Sequence, residues 1–161
     1  MIDQEQFVLQ ILDEYGLSEC NSAKTPSDPK IHLSKDMCPK NDQQKELAIK
    51  RPYPQLVGKL LYLSTCTRPD ISFTVRELSR FMSNWGEQHW AAAKHLLRYL
   101  KGTKHYGITY GNLDNPYPIF RTFADSDWAS GEGRRSVAGF LTEMAGGPIS
   151  WASKKQTIVA L

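Results

Sequence analysis

At 161 residues the chain is long enough for one ordinary domain, or for two small pieces that share a core. An apolar share of 40%, with four Trp, seven Tyr and six Phe, suffices for such a core, and a net charge of +3 is too mild to identify a nucleic-acid partner by itself. The acidic start (Asp3, Glu5, Asp13, Glu14) excludes a secretory signal or basic transit peptide, and no apolar run approaches the roughly 20 residues that cross a bilayer. The expected setting is therefore intracellular, cytoplasmic or nuclear, not secreted and with no membrane partner. Cys20, Cys38 and Cys66 are odd in number and far apart, which fits reduced thiols. No zinc site is supported, because His32, His89, His95 and His105 pair with no Cys at ligand spacing.

Residues 3–15 place Phe7, Ile11 and Tyr15 on one face, with Val8 and Leu12 beside them. This spacing predicts an amphipathic helix, capped by Asp3 and ended near Gly16. Residues 18–52 hold Pro26, Pro29, Pro39 and Pro52 among polar residues without sustained periodicity, and read as a long irregular connector. Helical spacing then returns over 53–102. Leu56, Leu60 and Leu63 share a face of a first helix, which the Arg68-Pro69 step interrupts. Pro69 suits the first turn of a second helix, with Thr67 as its cap and Val75, Leu78 and Met82 on its apolar side. A third helix runs from about Glu87 to Lys101, with Trp90, Ala93, Leu97 and Leu100 together.

The period then shortens. Tyr106–Tyr110, Ile119–Phe123, Val137–Glu143 and Ile149–Ser153 read as strands, the last two joined by a turn at Gly146-Gly147-Pro148. Phe140, Ile149 and Trp151 are the expected members of a buried sheet face. Helices first and antiparallel strands last give an α+β fold.

Some features could carry chemistry. Asp125 and Asp127 are two apart, so on a strand their carboxylates share a face and could hold a hard divalent cation; the plain alternative is a strand ending in a polar turn. Lys94, Arg98 and Lys101 lie at i, i+4 and i+7 on one edge of the third helix, where they could meet successive phosphates or simply form a solvated face. Lys154-Lys155-Gln156 could touch a nucleic-acid backbone or guard an edge strand. Residues 131–135 (GEGRR) lack the ending of a phosphate-binding loop and read as a hairpin turn, and no Ser or Cys stands in an activating motif with a His.

Taken in order, YPQLVGKLLYLSTCTRPDISFTV, LSRFM, HWAAAKHLLRYLKGT, FADSDWAS, RRSVAGF and ISWASKKQTIVAL resemble the Pol polyprotein of copia-type retrotransposons. FVLQILDEYGLSECNSAKTP resembles the segment just past that family's polymerase palm. The resemblance implies that residues 1–50 are the end of a reverse transcriptase plus a connector, 51–111 a helical connection, and 112–161 the opening strands of an incomplete RNase H-like sheet. The first catalytic carboxylate of that fold, on its first strand, maps onto Asp125; the resemblance gives Asp127 no catalytic role.

Two departures qualify this. The chain has no Asp-Asp pair, so the Tyr-x-Asp-Asp turn of the polymerase is absent. It also stops at Leu161, short of the helix that brings the second RNase H carboxylate, a Glu. The expectation is a truncated piece, inactive alone, from a parent enzyme that uses Mg2+ not bound productively here. Expected partners are an RNA/DNA hybrid or other nucleic acid, held weakly, and the remaining Pol segments. The competing expectation is a nucleic-acid-binding or structural module without catalysis.

Overall fold

In the computed structural model, which describes residues 1–111, 120–126 and 136–156, the chain divides into two compact units. The first unit, residues 4–106, is helical. Helix α1 (Glu5–Glu14) buries Val8, Ile11 and Leu12. It ends as the sequence predicts: Gly16 adopts φ +65°, its N–H donates to Asp13 O, and Leu17 N–H donates to Leu12 O at 2.7 Å. Those two bonds satisfy carbonyls that the helix end leaves open. The start differs from expectation. Asp3 lies in a short strand, and Gln4 holds the capping position without a side-chain cap. The Gln4 side chain is instead engaged elsewhere, its Oε1 accepting from the Thr67 hydroxyl at 2.6 Å. Thr67 therefore closes the preceding helix and does not cap the following one.

The stretch expected to be an irregular connector contains a helix, α2 (Asp42–Ile49). Its periodicity is weak because the helix is short and polar and buries only Ala48. Reciprocal capping defines it instead: Asn41 Oδ1 accepts from Gln44 N, and Gln44 Oε1 accepts from Lys40 N. Just before it, Lys35–Met37 form one 3-10 turn. A Cβ on Gly86 would fall 2.2 Å from the Met37 carbonyl oxygen, so only glycine lets this turn lie against the start of α5.

Helix α3 (Tyr53–Cys66) buries Tyr53, Leu56, Val57, Leu60 and Leu63. A 3-10 turn from Pro69 leads into α4 (Ser72–Ser79), which buries Val75 and Leu78. Helix α5 (Glu87–Gly102) adds Ala93, Leu96, Leu97 and Leu100 to the same core, which α1 also enters across residue 50. Each fully buried leucine contributes on the order of 1.5–3 kcal/mol. Met82 lies past the end of α4 and packs at the core margin.

The second unit contains β1 (Ile2–Asp3) paired antiparallel with β2 (Gly107–Ile108), a much shorter strand than Tyr106–Tyr110 suggested. It also contains β3 (Arg121–Ser126), β4 (Val137–Met144) and β5 (Gly147–Lys155), antiparallel in the order β3-β4-β5. The β4-β5 turn is centred on Ala145 and Gly146, at φ +52° and +80°, and not on Pro148. Two successive left-handed residues match the twist of a two-residue hairpin. Pro148 falls on an edge strand, beside a register shift at Thr142/Glu143.

Phe123 lies opposite Leu141, and Leu141 opposite Trp151, so these three form one row on one face. Phe140 aligns with Ala124 and Ala152 on the other face, which corrects the expected grouping of Phe140 with Trp151. Phe140 and Ile149 are 43% and 40% exposed, so neither is buried. Helical and antiparallel segments together make the chain α+β.

Candidate functional site

The cationic edge of α5 is present, but two of its members are already engaged. Arg98 Nε donates to the Asn21 carbonyl at 2.8 Å, and Lys101 Nζ donates to the Cys20 carbonyl at 2.8 Å. Ala23 N donates back to Arg98 O, and a ring nitrogen of His95 meets Thr25 O at 2.9 Å. These side chains thus pin residues 20–25 along α5. Lys94, half-buried, has no hydrogen-bond partner among the described residues.

Asp125 stands on β3, fully within an exposed strand, on the face that carries Phe123, Leu141 and Trp151. Its cross-strand neighbours are Gly139 and then Ser153, so the described sheet sets no second carboxylate beside it. Asp127 and the 131–135 turn lie outside the described residues. Among the described residues no group of three or more His, Cys, Asp or Glu side chains could hold a metal ion. Lys154 is exposed and Lys155 half-buried at the end of β5.

Sequence reasoning missed two buried polar centres in the helical unit. Arg68 is 2% exposed and grips Asp70 with two bonds, Nε to Oδ1 at 2.9 Å and one terminal nitrogen to Oδ2 at 2.7 Å. It also donates to the Thr103 carbonyl and hydroxyl, while the Tyr99 hydroxyl donates to Asp70. Burial, then the Asp70 carboxylate, raises the Tyr99 hydroxyl above its ordinary value. The arginine on the TRPD step, read only as a helix break, was the available signal. The second centre is His89, fully buried, whose Nδ1 accepts the Gly86 N–H and whose ring lies 4.0 Å from that of Phe81. Burial holds His89 below histidine's ordinary value, opposed by the backbone of Ser34. Arg68 thus ties the α3-α4 junction to the end of α5, and His89 packs α5 against the segment after α4. A cavity of about 350 Å³ opens beside Cys38, Leu47 and Glu87, and Lys94, Arg98 and Lys101 do not line it.

The chain is 39% identical to the retrovirus-related Pol polyprotein of transposon TNT 1-94 from Nicotiana tabacum, over 99% of this chain and 12% of that one. It is 35% identical to the Pol polyprotein of transposon RE1 from Arabidopsis thaliana, over 96% of this chain and 10% of that one. The chain belongs to the copia-type retrotransposon Pol family. It spans about a tenth of the length of these Pol relatives. A secreted RxLR effector protein of Plasmopara viticola is 42% identical over 68% of this chain and 77% of that protein, so Pol-like sequence of this kind also occurs in a much shorter chain. No family model matches, and no solved structure matches. Among the described residues no helix is long and apolar enough to cross a membrane.

Proposed function

We propose that this Pol segment joins a reverse transcriptase to its RNase H, and that Asp125 is the first metal-anchoring carboxylate of the nuclease. The observation that carries this reading is Asp125 standing exposed on the first strand of an antiparallel β3-β4-β5 sheet that follows a helical unit. That order matches the resemblance, in which a helical connection leads to the opening strands of RNase H. Hydrolysis of RNA in a hybrid uses two metal ions about 4 Å apart. Asp125 supplies one anchor for magnesium, Asp127 is the candidate for a second, and the remaining carboxylates come from elsewhere in a Pol polypeptide. Nucleotide addition is assigned to other Pol segments, because this one lacks the Asp-Asp turn. The segment works inside the cell, in cytoplasm or nucleus, with an RNA/DNA hybrid and other Pol segments as partners.

A second reading, a structural module without catalysis, is favoured for the α5 edge by the Arg98 and Lys101 bonds to the connector. Hybrid binding separates the two. Fluorescence anisotropy of a labelled RNA/DNA hybrid should show salt-dependent binding that Lys94→Ala weakens, with a salt slope reduced by about one. Affinity indifferent to salt and to Lys94→Ala would leave this edge a purely structural one.

A further inference from the structure

Hydrogen bonds hold residues 20–25 against α5. Cys20 O accepts from Lys101, Asn21 O accepts from Arg98, and a ring nitrogen of His95 meets Thr25 O. Ala23 N donates back to Arg98 O. The contacts run in reverse order along the helix, so this strap lies antiparallel to α5. No residue of 18–32 is buried, whereas Leu17 and Leu33, which flank that stretch, pack against the core. Hydrogen bonds, and not apolar burial, therefore hold the strap down, which places it at the low-stability end of the helical unit. It can lift away as a loop while both anchors stay in place.

We propose that residues 20–25 are an autoinhibitory strap, whose carbonyls occupy the phosphate site of α5 until a nucleic-acid backbone displaces them. This regulation concerns the same α5 edge as above and rests on the reading of that edge as a hybrid contact. Among the described residues neither Arg98 nor Lys101 pairs with a carboxylate; both meet neutral carbonyls and keep their full charge. A phosphate oxygen accepts from the same donors, and it adds its own charge and the release of counterions, which a carbonyl cannot supply. Lys94 stays open with the strap down, so the closed chain meets a nucleic acid with fewer cations than the open one.

A reversible lock tests this. A Cβ on Gly102 would fall 3.0 Å from Ser22 Cβ. The exposed strap needs to give only about half an ångström to reach the roughly 3.5–4.5 Å of a disulfide. Ser22→Cys and Gly102→Cys are placed together in the full chain with Cys20, Cys38 and Cys66 replaced by Ser, and folding is checked by circular dichroism. In fluorescence anisotropy with a labelled RNA/DNA hybrid, the oxidised chain should bind at least about tenfold more weakly than the same sample reduced, with a salt slope lower by about two, one for each cation withheld. Ala23→Pro removes the N–H that donates to Arg98 O and leaves Arg98 and Lys101 in place. That chain should bind the hybrid more tightly than wild type. Salt-dependent binding of equal strength in the oxidised and reduced chains would overturn the strap and leave the hybrid reading of the edge standing. So would a folded Ala23→Pro chain that binds no better than wild type. Binding that is absent or indifferent to salt in every chain would overturn the strap and the hybrid reading together.

Discussion

The guanidinium of Arg98 donates through Nε to the backbone carbonyl of Asn21, 2.8 Å away and 77 residues distant in sequence. Lys101 makes the neighbouring bond to Cys20 O. A hydrogen bond from a charged donor contributes about 1–2 kcal/mol when partly shielded from water. Arg98→Ala should therefore cost about 1 kcal/mol of unfolding free energy in urea. It should also speed exchange of the Ala23 amide, which donates to Arg98 O. Lys94→Ala should leave both unchanged. Equal stability of the Arg98→Ala and Lys94→Ala chains would show that the bonds to residues 20–23 carry no load.

Arg68 offers a stronger case. Its guanidinium is 2% exposed and joins the α3-α4 junction to Thr103 at the end of α5. Removing one partner of a buried pair is costly, because the other charge stays behind without compensation. Asp70 is about a third exposed, which softens that cost. Arg68→Ala should destabilise the helical unit by about 3 kcal/mol in urea denaturation. Arg68→Lys should recover little, because an ammonium cannot make the two parallel bonds to Asp70. Full recovery by lysine would mean that charge alone, and not the fork geometry, holds the junction.

His89 makes stability depend on pH in a defined direction. Its folded pKa is lowered from the ordinary 6.5, chiefly by burial, so the unfolded chain takes up a proton more readily than the folded one. Its contribution is complete above 6.5 and is lost as pH falls through the folded pKa. Melting temperature should drop between neutral pH and about pH 5, and His89→Gln should flatten that part of the profile. A profile identical in wild type and His89→Gln would remove His89 as the cause.

Much of the helical unit was legible because leucines recur at helical spacing: Leu56, Leu60, Leu63, Leu97 and Leu100 all reach zero exposure. Helix α2 was not, since an eight-residue polar helix that buries only Ala48 leaves no periodic signal, although Asn41 and Gln44 announce its cap. Strands β4 and β5 were found from alternation, but pairing register decides which residues share a face. Leu141 meets Trp151, and this sends Phe140 to the opposite side. The α5 cations were visible in sequence, whereas their carbonyl partners at Cys20 and Asn21 were not, because long-range backbone contacts leave no local pattern. Asp125 was named from its motif, and the structure sets it on an exposed strand with no second carboxylate beside it among the described residues.

The assignment of Asp125 is tested most directly by cleavage of a labelled RNA/DNA hybrid with magnesium present. The 161-residue chain should give no cleavage above a protein-free control. A longer Pol polypeptide that contains this segment and the remaining nuclease carboxylates should cleave. Asp125→Asn in that polypeptide should reduce the rate at least about a hundredfold, more than loss of a residue that merely supports a ligand. Cleavage by the longer polypeptide that survives Asp125→Asn would contradict the account.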